Sequence, residues 1–118
     1  MNKNYKRDLL ERLLKFSVMI IKLASGLPKT PAGFAIAGQI IRSATSIGAN
    51  CEEAQDASSR KDFLNRMSIS LREAKETKYW LKVIRESGLL SVNRLQEAID
   101  ECDQIVAILV STVKSLKK

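Results

Sequence analysis

Apolar residues recur along the chain at alternating steps of three and four, the spacing that lays one stripe along one face of an α-helix. Leu9, Leu13, Phe16, Ile20 and Leu23 form the first stripe. Ala37, Ile40, Ala44, Ile47, Cys51 and Ala54 form the second. Phe63, Met67, Ser70, Ala74, Thr77, Leu81 and Ile84 form the third, and Leu95, Ile99, Cys102, Val106, Leu109, Val113 and Leu116 the fourth. A repeat of about 3.5 residues is the seam of helices packed nearly antiparallel in a left-handed bundle. No segment alternates polar and apolar residues for long enough to predict a strand.

The residues between the stripes punctuate them. Gly26 is expected to stop the first helix in a left-handed conformation, with Pro28 after it. Thr30-Pro31 predicts an N-cap followed by a first-turn proline. In Ser59-Arg60-Lys61-Asp62 the serine hydroxyl accepts from the Asp62 amide and Asp62 reaches back, a capping box. Gly88 ends the third helix. Ser91 is placed to cap the fourth, with Leu90 and Leu95 as a hydrophobic staple. Helices over roughly 5–25, 31–56, 60–87 and 92–117 follow. Gly48, inside the second helix, costs about 1 kcal/mol relative to Ala and predicts a bend or a close helix contact. Connections this short dictate an all-α, up-down-up-down antiparallel four-helix bundle as a single domain over residues 1–118.

Composition narrows the chemistry. The chain has 118 residues, two cysteines and no histidine. That removes Ser-His-Asp and Cys-His nucleophile systems and every histidine-containing metal site. Cys51 and Cys102 have no second cysteine nearby and sit on core stripes, where they read as inert buried thiols. Glu52 and Glu53 are adjacent, so they leave a helix about 100° apart and do not converge. Asp100, Glu101 and Asp103 read as the polar face of the fourth helix. No catalytic residue, metal or cofactor is expected. The charged N-terminal stretch has no signal-peptide pattern, and no apolar run is long enough to span a bilayer. A soluble cytoplasmic protein with free thiols is the expectation.

The third helix carries more apolar surface than one core seam needs. Ile69, Trp80 and Val83 fall well outside its stripe, which suggests a contact between subunits. The competing reading lays Trp80 flat on a neighbouring helix of its own bundle. The first helix is broad too, because Leu10, Leu14, Ile21 and Ala24 run beside its stripe. Ser70 and Thr77, with Ala37, Ala44 and Ala74, make a small-residue seam between the second and third helices. Their hydroxyls can return to carbonyls of their own helix.

The formal charge of +7 is unevenly spread. Residues 1–30 carry seven Lys/Arg against two acids, and residues 61–90 seven against four. Lys75, Lys78, Lys82 and Arg85 fall within about 80° of one another on the third helix. Lys15 and Lys22 share a face of the first. A polyanion is a natural partner for such a stripe, since each neutralised phosphate releases condensed counterions. A solvated face, laced by Glu73, Glu76 and Glu86, is the competing reading of the same charges. Arg42 stands equally open to phosphate contact and to pairing with a glutamate.

The run IIRSATSIGANCEEA, residues 40–54, resembles the central segment of small bacterial four-helix-bundle proteins encoded within intervening sequences of large-subunit ribosomal RNA genes. Arg42, Ser46-Ile47, Gly48, Asn50 and Glu53 carry the match. Phe63, Leu64, Leu71, Glu73 and Leu81 continue it, as does the SGLLS turn. The chain departs at Cys51-Glu52, where a small apolar pair is usual. It departs again at Lys75, Lys78 and Tyr79-Trp80, in a stretch that is often less basic. The resemblance spans most of residues 7–115 and implies a homopentamer. The sequence is also similar to accessory proteins of diversity-generating retroelements, which are basic pentameric barrels that bind nucleic acid and a reverse transcriptase.

Residues and resemblance together lead to the expectation of a non-enzymatic, oligomeric protein that binds RNA or DNA through its backbone phosphates. Lys75, Lys78, Lys82 and Arg85 are the leading contacts, and Lys15, Lys22 and Arg42 the secondary ones. The alternative is an interaction scaffold that docks an acidic protein partner.

Overall fold

The computed structural model describes residues 3–118; Met1 and Asn2, the start of the charged N-terminal stretch, lie outside the described residues. Four helices follow one another: α1 (Lys3–Ala24), α2 (Pro31–Ala54), α3 (Arg60–Ser87) and α4 (Val92–Leu116). They form an all-α antiparallel bundle of 44 × 23 × 21 Å. Each helix packs on its neighbours in the chain and α4 closes on α1, whereas α1/α3 and α2/α4 are diagonal pairs whose backbones stay apart. α2 stops two residues short of its expected end. There the amides of Gln55, Asp56 and Ala57 turn to carbonyls three residues back, a tightened last turn.

The expected stripes of α1 and α3 lie in the core, with Phe63 half-buried at one end of α3. The α2 stripe is buried from Ile40 onward, and Ala37 is half-buried. On α4 the pattern shifts. Ala98 and Ile105 are fully buried, while Ile99 and Val106 sit half-buried on the flank. Both alternatives are apolar in the sequence. Because α4 must fill the space against α1 and α3 at once, packing selects between them.

The caps follow from side-chain chemistry, with two exceptions. Thr30 Oγ1 accepts from the Gly33 amide at 3.1 Å, and Ser59 Oγ from the Asp62 amide at 3.0 Å. Asp62 reaches back to the amide of Ser58 at 3.3 Å, one residue beyond the expected partner. Gly88 takes the left-handed conformation, φ 72°. Ser91 occupies the N-cap position of α4 in extended backbone, but its side chain makes no capping bond. Leu90 and Leu95 are both buried there. Gly26 is not left-handed: Gly88 alone has positive φ among the described residues. α1 ends instead in a tight turn, with Gly26 and Leu27 amides bonded to Leu23 and Ala24 carbonyls at 3.0 and 3.1 Å. The Arg94 guanidinium lies over Gly26, 2.6 Å from where a Cβ would stand, and as the tip of an exposed side chain it can move aside.

Small residues draw the helices together. A Cβ on Gly48 would touch the Leu13 Cβ at 3.4 Å, so α2 runs close to α1. Between α2 and α3, Thr77 Oγ1 donates to Ser43 Oγ at 2.8 Å and also lies 2.8 Å from the Glu73 carbonyl of its own helix. Ser70 does not return to its own helix. It donates across the seam to the Ile47 carbonyl at 2.8 Å, because that carbonyl is within reach where the side chains are small. Cys51 Sγ sits 3.2 Å from Ser70 Oγ. Both cysteines are fully buried. Desolvation raises the Cys51 pKa above its ordinary value and pushes Cys102 up to about 12.

Two glycines of α2 separate crowding from propensity. A Cβ on Gly33 would lie 1.8 Å from the Pro28 carbonyl oxygen, whereas one on Gly38 meets nothing within 4 Å. Gly33→Ala is expected to destabilise by about 2–3 kcal/mol. Gly38→Ala is expected to stabilise by about 0.5–1 kcal/mol through helix propensity. Thermal unfolding of the two variants checks the signs.

Candidate nucleic-acid interface

α3 stands between α2 and α4, and each flank of its surface is tied to a neighbour by charge. On the α2 side, Arg42 bonds Glu73 at 2.9 Å and also engages Glu76. The Trp80 indole donates to the same Glu76 carboxylate at 3.1 Å. Arg66 pairs with Glu53 of α2 at 2.8 Å. On the α4 side, Lys78 pairs with Asp103 at 2.8 Å. Its pKa rises because that carboxylate accepts a hydrogen bond from the ammonium and stabilises its charge.

This sorts the expected phosphate contacts. Lys75 and Lys82 are exposed and form no ion pair among the described residues. Lys78 is partly neutralised by Asp103, and Arg85 bonds Glu86 at 2.9 Å. Arg42 is spoken for by two glutamates. Lys15 and Lys22 are exposed on α1, the helix diagonal to α3, and Lys15 borders a groove against Glu97 and Asp100 of α4. The two lysine sets therefore do not converge on one surface of a single chain.

Sequence reasoning passed over two residues on the outward face of α3. Arg72 is exposed and without an ion pair among the described residues. Tyr79 is 59% exposed. Arg72 is three residues before Lys75 and Tyr79 four after, the step that marks a shared helix face.

The residues expected at a subunit contact, Ile69, Trp80 and Val83, are all half-buried, Trp80 against the core of its own chain. The strongest exposed apolar surface is on α1 and α2: Leu14 at 65%, Phe34 at 62%, and Val18 and Ile21 at 43%. Leu10, Leu14, Val18 and Ile21 line a groove whose other wall is Thr45, Gly48 and Ala49. Among the described residues no helix is long and apolar enough to cross a membrane. No group of three or more Cys, Asp or Glu is placed there to hold a metal ion.

These features define an antiparallel four-helix bundle with a partly unpaired basic face. The family model of the 23S rRNA-intervening sequence protein matches residues 6–111, and the chain belongs to that family. A solved structure similar to this one is that of a protein of unknown function from the S23 ribosomal protein family of Bacteroides thetaiotaomicron VPI-5482. It shares 36% identity over 90% of this chain and 98% of its own, with a TM-score of 0.84. No curated protein matches the chain.

The Arg42–Glu76–Trp80 cluster makes a stability prediction with a definite sign. Trp80 and Arg42 hold the Glu76 carboxyl below its ordinary value of 4.5. Its contribution is complete above that value and is lost as pH falls through the lowered one. Glu76→Gln is expected to destabilise by less than about 1 kcal/mol at neutral pH. In urea unfolding the gap between parent and variant should close in acid. A gap that persists well below pH 4.5 overturns the assignment.

Proposed function

We propose that the protein is a non-enzymatic nucleic-acid-binding bundle, acting as an assembly of copies, that holds phosphates along the outward face of α3. One observation carries the reading. The acids of α3 are all engaged: Asp62 in the cap, Glu73 and Glu76 by Arg42, and Glu86 by Arg85. Arg72, Lys75 and Lys82 remain exposed without a carboxylate partner among the described residues. Cations in that state gain from meeting phosphate, because condensed counterions are released. Phosphate contacts of this kind recognise backbone and shape more than base order.

The assembly is supported by the exposed groove of α1 and α2, which is apolar beyond what a solitary bundle needs in water. Self-association through this groove accounts for the exposure of Leu14, Val18 and Ile21 better than contact through Trp80 does. A ring of five is the size implied by the family resemblance.

Two measurements test the proposal. Binding to structured RNA and to duplex DNA should fall linearly on a log–log plot against salt. The double charge reversal Lys75→Glu, Lys82→Glu should weaken both and flatten the slope by about 0.9 for each phosphate no longer neutralised. Unchanged affinity rejects these residues. Light scattering should give a multiple of 13.2 kDa, reduced by Leu14→Glu. A parent protein that runs at 13.2 kDa overturns the assembly.

A further inference from the structure

Tyr79 and Trp80 are neighbours with opposite fates. Trp80 leans to the α2 side, packs on the core and donates its indole N–H to Glu76 at 3.1 Å. Tyr79 turns outward and leaves 59% of itself in water. The two rings meet edge-on, with centroids 5.4 Å apart and planes 69° apart. An edge contact covers at most one face of the Tyr79 ring and leaves the other open. Trp80 is itself anchored, so the exposed ring is braced from one side.

The surroundings of that open face are cationic. Lys75 and Lys82 stand four residues before and three after Tyr79, and Arg72 seven before, all neighbours on one helix face. All three are exposed and without an ion-pair partner among the described residues. The nearest acid on the helix, Glu76, is turned to Arg42 and Trp80. A flat π-surface bracketed by free cations matches a ligand with a flat base and a phosphate on either side. In a duplex the base faces are stacked on one another and closed to a protein ring. In a single strand or a loop they are open.

We infer that the outward face of α3 takes unpaired nucleotides of a single-stranded or looped nucleic acid, with a base stacked on Tyr79 and its flanking phosphates held by Lys75, Lys82 and Arg72. The inference rests on the nucleic-acid reading of α3 and adds the form of ligand that this face prefers.

The test uses the full chain and three dye-labelled probes at one salt concentration: a short oligoadenylate, an abasic strand of equal length, and a blunt duplex. Fluorescence anisotropy should rank the oligoadenylate tightest for the parent. Tyr79→Ser, at an exposed position, should weaken the oligoadenylate roughly ten- to hundredfold and leave the abasic strand and the duplex unchanged. Tyr79→Phe should retain parent affinity, because the ring does the stacking. If Tyr79→Ser leaves the oligoadenylate unchanged, or weakens all three probes alike, the stacking site is overturned. That result leaves the phosphate reading standing, provided Lys75→Glu, Lys82→Glu still weakens binding. If the parent binds none of the probes, both fall together.

Discussion

Where α2 meets α3, the seam carries alanine, serine, threonine and cysteine in places where the other seams carry leucine and isoleucine. The backbones draw together until hydroxyls reach across, Ser70 to the Ile47 carbonyl and Thr77 to Ser43. Every hydroxyl in this seam finds an acceptor, so the polar groups do not tax the core they sit in. A close seam also fixes rotation. With Ser70, Ala74 and Thr77 held against α2, the remaining faces of α3 are assigned: one flank toward α2, one toward α4, and one to water.

That rotation determines the charge pattern. Glu73 and Glu76 arrive on the α2 flank within reach of Arg42, and Lys78 on the α4 flank within reach of Asp103. The pairings are modest in energy, as half-exposed ion pairs are. Their larger effect is to remove the acids of α3 from competition. Among the described residues Lys75 and Lys82 pair with no carboxylate, while Glu73 and Glu76 are engaged by Arg42 and Glu86 by Arg85. A basic face thus emerges from a helix whose net charge is only moderately positive.

The fold was legible in the sequence because a stripe at steps of three and four survives whatever the helix packs against. On α1 the stripe of Leu13, Phe16 and Ile20 is buried, while Leu14 and Ile21 beside it stay exposed. α4 was ambiguous, since Ile99 and Val106 compete with Ala98 and Ile105 on hydrophobicity alone. Only the shape of the space between α1 and α3 decides that competition. Caps were legible where one side chain meets one amide, as at Thr30 and Ser59. They were not at Gly26, where α1 closes in a tight turn with no left-handed residue. The candidate site was half legible. Helical spacing located Lys75 and Lys82, but which lysines meet a carboxylate on another helix is a property of packing. Arg72 shared the spacing and was missed because the stripe was drawn from Lys75 onward. Tyr79 stands out in the sequence only beside Trp80 as a departure from the family pattern, and the 100° of rotation that separates the two is what turns it to water.

The placement of the basic helices bears on how the charge can act. α1 and α3 are a diagonal pair, and α4 lies between them with Glu97, Asp100 and Asp103 exposed on its surface. A phosphate backbone running from Lys15 to Lys82 over α4 would have to pass these carboxylates, and screening at physiological salt confines attraction to about 8 Å. One chain therefore offers two separate cationic surfaces, each with only a few free charges and each weak alone. In the proposed assembly strength comes from repetition, since linked copies would engage one strand at several points and gain avidity without any new contact. The apolar groove of α1 and α2 leaves the outward face of α3 uncovered, so assembly through that groove and binding through α3 do not compete for surface. On that proposal, copies are added through α1 and α2 while the exposed cations of α3 stay uncovered.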